Sequence, residues 1–122
     1  MKRIEDIDTG LKPQVIAAIR GVLLEYPEIE SAILYGSRAT GQWRRASDID
    51  LTLTGKSLTY ARLCEIDYEL DELLLPWKID LSILHQIKNP ELVRRIEFDG
   101  VLLYEAHTKD ETVTPSVSGN TS

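Results

Sequence analysis

Residues 48–54, DIDLTLT, alternate without a break. Asp48, Asp50, Thr52 and Thr54 share one parity, and Ile49, Leu51 and Leu53 the other. A period of two belongs to a strand whose side chains leave on opposite faces. The segment therefore predicts a half-buried strand with its apolar face on a core and its acidic face on a cleft. Two neighbouring carboxylates without a counter-charge repel, so one must take up a proton unless a cation lies beside them. A divalent metal removes that conflict. Upstream, Ser31–Tyr35 is a short apolar run, a predicted buried strand, and it ends at Gly36-Ser37. Residues 36–47 between the two runs form a polar turn containing Gly and Arg, with room for one helical turn. A glycine lets backbone approach a phosphate closely, and a serine beside it supplies a hydroxyl donor. GSRATGQWRRASDIDL, residues 36–51, thus has the parts needed to hold Mg²⁺ and the phosphates of a nucleotide.

The rest of the chain supplies the frame. Val15, Ile19, Val22 and Tyr26 recur at helical spacing in residues 11–26, with Pro13 in the first turn and Pro27 beyond the end. After Gly55-Lys56, Ser57 is a candidate cap for a helix running to about Leu75 on a stripe of Leu63, Ile66, Leu70 and Leu73. Pro76 ends it, and Trp77–Leu84 alternates as a third strand. Asn89-Pro90-Glu91 reads as N-cap, first helical residue and acidic first turn, and Leu92, Val93 and Ile96 form the buried side of that helix. Asp99-Gly100 is a turn before a last strand, Val101–Tyr104. The expected fold class is α/β (α+β), a small mixed sheet with helices packed on one face and the carboxylates on the other. Residues 1–10 read as an N-terminal extension and 11–104 as the domain. Residues 105–122 read as a disordered tail, being Ser/Thr-rich and almost without large apolar residues.

Asp80 adds a third acid. It stands mid-strand among apolar neighbours, where aspartate is disfavoured, and at the parity that matches the Asp48–Asp50 face. Three such acids on adjacent strands suit two Mg²⁺ ions about 3.5–4 Å apart, the arrangement used in phosphoryl and nucleotidyl transfer. Net charge is −6, which disfavours a long nucleic acid as partner, although Arg38, Arg44 and Arg45 make a basic spot beside the Gly-Ser pair. One cysteine and two histidines exclude a disulfide framework and a Cys/His zinc centre. No apolar run is long enough to span a membrane and the N-terminus lacks the apolar core of a secretory signal, so the expected compartment is the cytoplasm. Trp43 is a candidate for stacking on a base or touching a partner. Asp6-Ile7-Asp8 repeats the acid spacing without a Gly-Ser pair or a strand, and is discounted. Cys64 and Tyr68 read as core or boundary positions, and His85 as structural or exposed. No Gly-x4-Gly-Lys-Ser/Thr run occurs, so the phosphate site is not a P-loop.

Gly36-Ser37, ten intervening residues, Asp48-Ile49-Asp50 and the later Ile79-Asp80-Leu81 resemble the DNA polymerase β nucleotidyltransferase superfamily. The short chain and the runs YGSRATGQ, SDIDLTLTG and LPWKIDLSIL are similar to the minimal nucleotidyltransferases (MNT), the antitoxins of HEPN/MNT toxin-antitoxin pairs. The resemblance spans about residues 11–104. It implies a polymerase β-like fold and transfer of a nucleoside monophosphate, AMP from ATP, onto a hydroxyl of a partner HEPN toxin. It also implies that Gly36 and Ser37 bind phosphate, that Asp48 and Asp50 bind metal, and that Asp80 supports the catalytic metal and helps deprotonate the acceptor. Arg38 falls at a basic position suited to neutralising the triphosphate. Two other functions fit the same motifs: transfer to a small molecule of aminoglycoside type, and a nucleotide-binding partner subunit without turnover.

Overall fold

The computed structural model describes residues 1–106. Five strands form one mixed sheet in the order β1-β5-β2-β3-β4: Lys2–Arg3, Ser31–Tyr35, Ile49–Thr54, Ile79–Ile83 and Val101–Glu105 are β1 to β5 in chain order. The helices are α1 (Pro13–Leu23), α2 (Ser37–Thr40), α3 (Tyr60–Asp71) and α4 (Pro90–Asp99). β2 and β3 are antiparallel and joined by 36–48, the connection that carries α2. β3 and β4 run parallel, which requires a long crossover, and α3 provides it.

The apolar parity of each strand faces one core. Ala32 and Leu34, then Ile49, Leu51 and Leu53, then Val101 and Leu103 meet Ile19, Val22 and Leu23 of α1 and Ile66 and Leu70 of α3. Those two helices cover one face of the sheet, as their stripes require. α4 differs. Its Ile96 is fully buried and Ile33 of β2 is buried, yet both stand outside the main apolar cluster. Ile33 has the opposite parity to Ala32 and Leu34, and a Cβ added at Gly100 would meet its Cγ2 at 2.6 Å. α4 therefore packs on the other side of the sheet, next to the carboxylates. An apolar stripe tells that a helix has one buried side, not which face of a sheet receives it.

Local chemistry sets the helix ends. Asn89 caps α4 as expected, its Oδ1 accepting from the N–H groups of Glu91 and Leu92, with Pro90 as first helical residue. The cap of α3 is Thr59, whose hydroxyl accepts from Arg62 N–H, rather than Ser57. Leu58 is buried and its N–H bonds the Gly55 carbonyl, so Lys56 and Ser57 form the middle of a turn that precedes the helix. Residues 1–10, expected as an extension, add β1 parallel to β5 and bury Ile4 in the core. β5 reaches Glu105, and Ala106 N–H bonds Glu30 O, two residues into the segment read as tail. The remainder of that tail lies outside the described residues. Cys64 and Tyr68 are exposed on α3 and are not core. No helix among the described residues is long and apolar enough to cross a membrane.

Candidate active site

Strand register aligns the chemistry in a row. Tyr35 of β2 is opposite Asp50 of β3, and Asp50 is opposite Asp80 of β4. Neighbouring strands lie about 4.8 Å apart, so the Asp50 and Asp80 carboxylates leave the same face side by side. Asp48 precedes β3 by one residue at the same parity and is exposed. Burial, then repulsion from Asp80 and from Asp48, raises the Asp50 pKa above the usual carboxylate range. The three acids thus act on one another in the way their spacing implies. Behind this row, Thr52 is fully buried and its hydroxyl accepts from Ser82 Oγ at 2.9 Å. Thr52 was expected on an open polar face. The bond to Ser82 allows it to be covered.

Gly36 brings the Gly-Ser pair against this row. It closes β2 and caps α2 with φ 79° and ψ −155°, a conformation open in practice only to glycine. A Cβ there would collide with Asp50 Oδ2, so the carboxylate sits directly over the Gly36 backbone. Ser37 and Arg38 begin α2, where backbone N–H groups lack intrahelical partners. Gly36→Ala is expected to cost about 1–3 kcal/mol of stability through backbone strain, and to displace Asp50. Thermal melts together with nucleotide titration check this. An alanine variant with unchanged melting and unchanged affinity would contradict the close approach.

Arg38 is corrected by the structure. It is 1% exposed and does not reach the open side of the Gly-Ser pair. Its guanidinium donates to four backbone carbonyls: Nη1 to Thr9 at 2.9 Å, Nε and Nη2 to Ser47 at 3.1 and 2.9 Å, and Nη2 to Arg44 and Arg45 at 3.5 and 3.2 Å. Trp43 and Trp77 flank it, with ring centroids 5.7 and 5.3 Å from Cζ. The indoles are tied in turn, Trp43 Nε1 to Asp8 O and Trp77 Nε1 to Arg45 O. Trp43 is therefore part of this clamp and not a free stacking platform. The clamp gathers residues 8–9, the 44–47 turn and the start of the β4 segment. The residues that follow directly are Asp48 and, three beyond Trp77, Asp80. Arg38 holds the frame of the acids rather than a phosphate.

Two residues of this region were missed by sequence reading. Tyr35 stands in the Asp50 row beside Ser82, and burial, then the nearby Asp50 and Asp80 charges, outweigh the Ser82 bond and raise its phenol pKa. Its antiparallel pairing with Asp50 is not visible until the β2–β3 register is known. Arg95 of α4 lines a groove with Tyr35, Gly36 and Ser37, which follows only from α4 lying on the acidic face.

A metal at this site fits the donor chemistry: hard carboxylate oxygens, crowded, with the central acid destabilised in its ionised form. Among the described residues no three acids already converge at ligand distances. Asp50 and Asp80 are the acids that strand register brings together, with Asp48 flanking, and they are the residues that could hold such an ion.

The comparisons agree with this architecture. A complex described as a toxin-antitoxin with AMP-PNP has a chain with TM-score 0.62 and 24% identity, covering 78% of this chain and 77% of that one. A chain from the tri-AMPylated Shewanella oneidensis HEPN toxin in complex with MNT antitoxin gives TM-score 0.60 and 20% identity over 82% and 77% of the two chains. The toxin-antitoxin complex MntA-HepT gives 0.59 and 20% over 81% and 77%. No curated protein sequence matches significantly. Residues 17–109, which include Asp48, Asp50, Asp80 and the Gly-Ser pair, match the family Polymerase beta, Nucleotidyltransferase, and the chain belongs to that family.

Proposed function

We propose that this protein is a Mg²⁺-dependent nucleotidyltransferase that moves AMP from ATP to a hydroxyl of a HEPN partner protein and so acts as an antitoxin in the cytoplasm. The observation that carries the reading is the Asp50–Asp80 pair beside Gly36-Ser37, with Asp48 flanking. Solved chains of similar fold, titled as toxin-antitoxin complexes, one with AMP-PNP and one with an AMPylated HEPN toxin, support the choice of nucleotide and partner.

In this reading Gly36 backbone and the Ser37 hydroxyl hold phosphate oxygens, and Asp48 and Asp50 with Asp80 hold the divalent ions. Bound there, such ions neutralise the carboxylates and draw electron density from the α-phosphate. Asp80 is exposed, as Asp48 is, and stands on an edge strand, which leaves its outer side open to an acceptor brought by a partner. It takes the proton of the acceptor hydroxyl. The acceptor oxygen forms a bond to the α-phosphorus, the bond from that phosphorus to the bridging oxygen breaks, and pyrophosphate leaves with the electron pair.

The test is ATP labelled at the α-phosphate, incubated with Mg²⁺ and the HEPN partner. Label should become covalently attached to the partner, and chelator should prevent it. An unlabelled partner in the presence of bound ATP and Mg²⁺ would overturn protein modification and leave nucleotide binding as the function.

A further inference from the structure

Withdrawal of Arg38 into its clamp leaves the Gly-Ser pair without the cation expected beside it. A triphosphate carries more negative charge than backbone amides and one hydroxyl balance, and arginine is well suited to bind its terminal oxygens in pairs. We propose that Arg95 of α4 supplies this contact, binding the β/γ-phosphate end of the nucleotide, so that the groove between α2 and α4 selects a triphosphate over a monophosphate. The proposal rests on the nucleotidyltransferase reading above and names a residue which that reading does not require.

Several observations place Arg95 there. The groove measures about 410 Å³, a size normal for small-molecule sites, and is lined by Tyr35, Gly36, Ser37, Leu92, Arg95 and Asp99 among others. Leu92, Arg95 and Asp99 follow one another at helical spacing, so a single side of α4 forms the wall opposite the Gly-Ser pair. Arg95 is the one Lys or Arg lining the groove among the described residues. Its guanidinium makes no hydrogen bond or ion pair with them, whereas Arg20, Arg38 and Arg62 are all engaged. Asp99, one turn along, is not within ion-pair distance, so the cation is uncommitted. The backbone beneath it is fixed. Ile96, the next residue, is fully buried, and Asn89 and Pro90 pin the start of the helix. An unengaged cation on a rigid helix, facing phosphate-binding backbone across a groove, has little else in the described structure to answer.

Calorimetric titration of ATP and of AMP, each with Mg²⁺, tests the proposal on the wild type and on Arg95→Ala, Arg95→Lys and Arg94→Ala. Arg94 is exposed and lies outside the groove, so its loss changes net charge equally. Arg95→Ala is expected to weaken ATP about tenfold or more and AMP less than twofold. Arg95→Lys should fall between, and Arg94→Ala should match wild type. Equal ATP affinity in wild type and Arg95→Ala overturns the proposal, as does equal loss for ATP and AMP, or an Arg94→Ala effect as large as that of Arg95→Ala. A wild type that binds neither nucleotide overturns the underlying reading, a result distinguishable from the others because no variant is needed to see it.

Discussion

Asp50→Asn is expected to lower nucleotidyl transfer by at least about 10²–10³-fold and, in metal-free solution, to raise the melting temperature. In the proposed reaction the loss follows from removing the central charge that would hold the metal, a contribution of several kcal/mol of barrier at about 1.4 kcal/mol per factor of ten. The gain follows from repulsion. Burial and the adjacent Asp80 and Asp48 raise the folded-state pKa of Asp50. The folded chain therefore holds that proton more tightly than the unfolded chain does, and an ionised Asp50 opposes folding at neutral pH. The penalty is relieved as pH falls through the raised pKa, and asparagine removes it at any pH. Melts in chelator should thus show Asp50→Asn above wild type near pH 7, with the difference shrinking towards pH 4 and below. Added Mg²⁺ should raise wild type and not the variant. A variant less stable than wild type at pH 7 in chelator would show that the carboxylates do not repel as described.

Arg38→Ala should be the most destabilising single change among the residues of this region. It removes a buried guanidinium that serves the carbonyls of Thr9, Arg44, Arg45 and Ser47, and opens a gap between two indoles. A buried carbonyl left without its donor costs about 1–3 kcal/mol, several are left so at once, and the gap between the indoles adds lost packing. The melting temperature should drop by roughly 10–20 °C. Arg38→Lys should rescue little, because one ammonium cannot span carbonyls arranged for a planar fork. A folded Arg38→Ala protein with native-like melting and a selective loss of ATP binding would instead restore Arg38 as a phosphate ligand.

The contrast between Asp50 and Arg38 shows what a sequence discloses. Alternation over 48–54 is local, so it could place both acids on one face before any contact was known. Asn89-Pro90 was equally legible, since a cap acts within three residues. Arg38 sits next to the Gly-Ser pair and carries the charge a phosphate would need, and nothing local separates a ligand from a strut. Its Thr9 acceptor and its Trp77 neighbour lie too far along the chain for any local window, and nothing local shows that the nearer 44–47 turn and Trp43 fold back onto it. The same holds for residues 1–10, whose strand exists only by pairing with β5. Tyr35 and Arg95 depended on strand register and on the side of the sheet chosen by α4, both tertiary outcomes. The acids and the glycine could be read directly, while the groups that frame them could not.

The most direct test of the account is the position of a metal in crystals grown with Mn²⁺ and a non-hydrolysable ATP analogue. An anomalous peak shared by the carboxylates of Asp50 and Asp80, close to phosphate oxygens held at Gly36-Ser37, is the result predicted here. Bound nucleotide with no metal between those two carboxylates, or a metal held elsewhere in the fold, would contradict it.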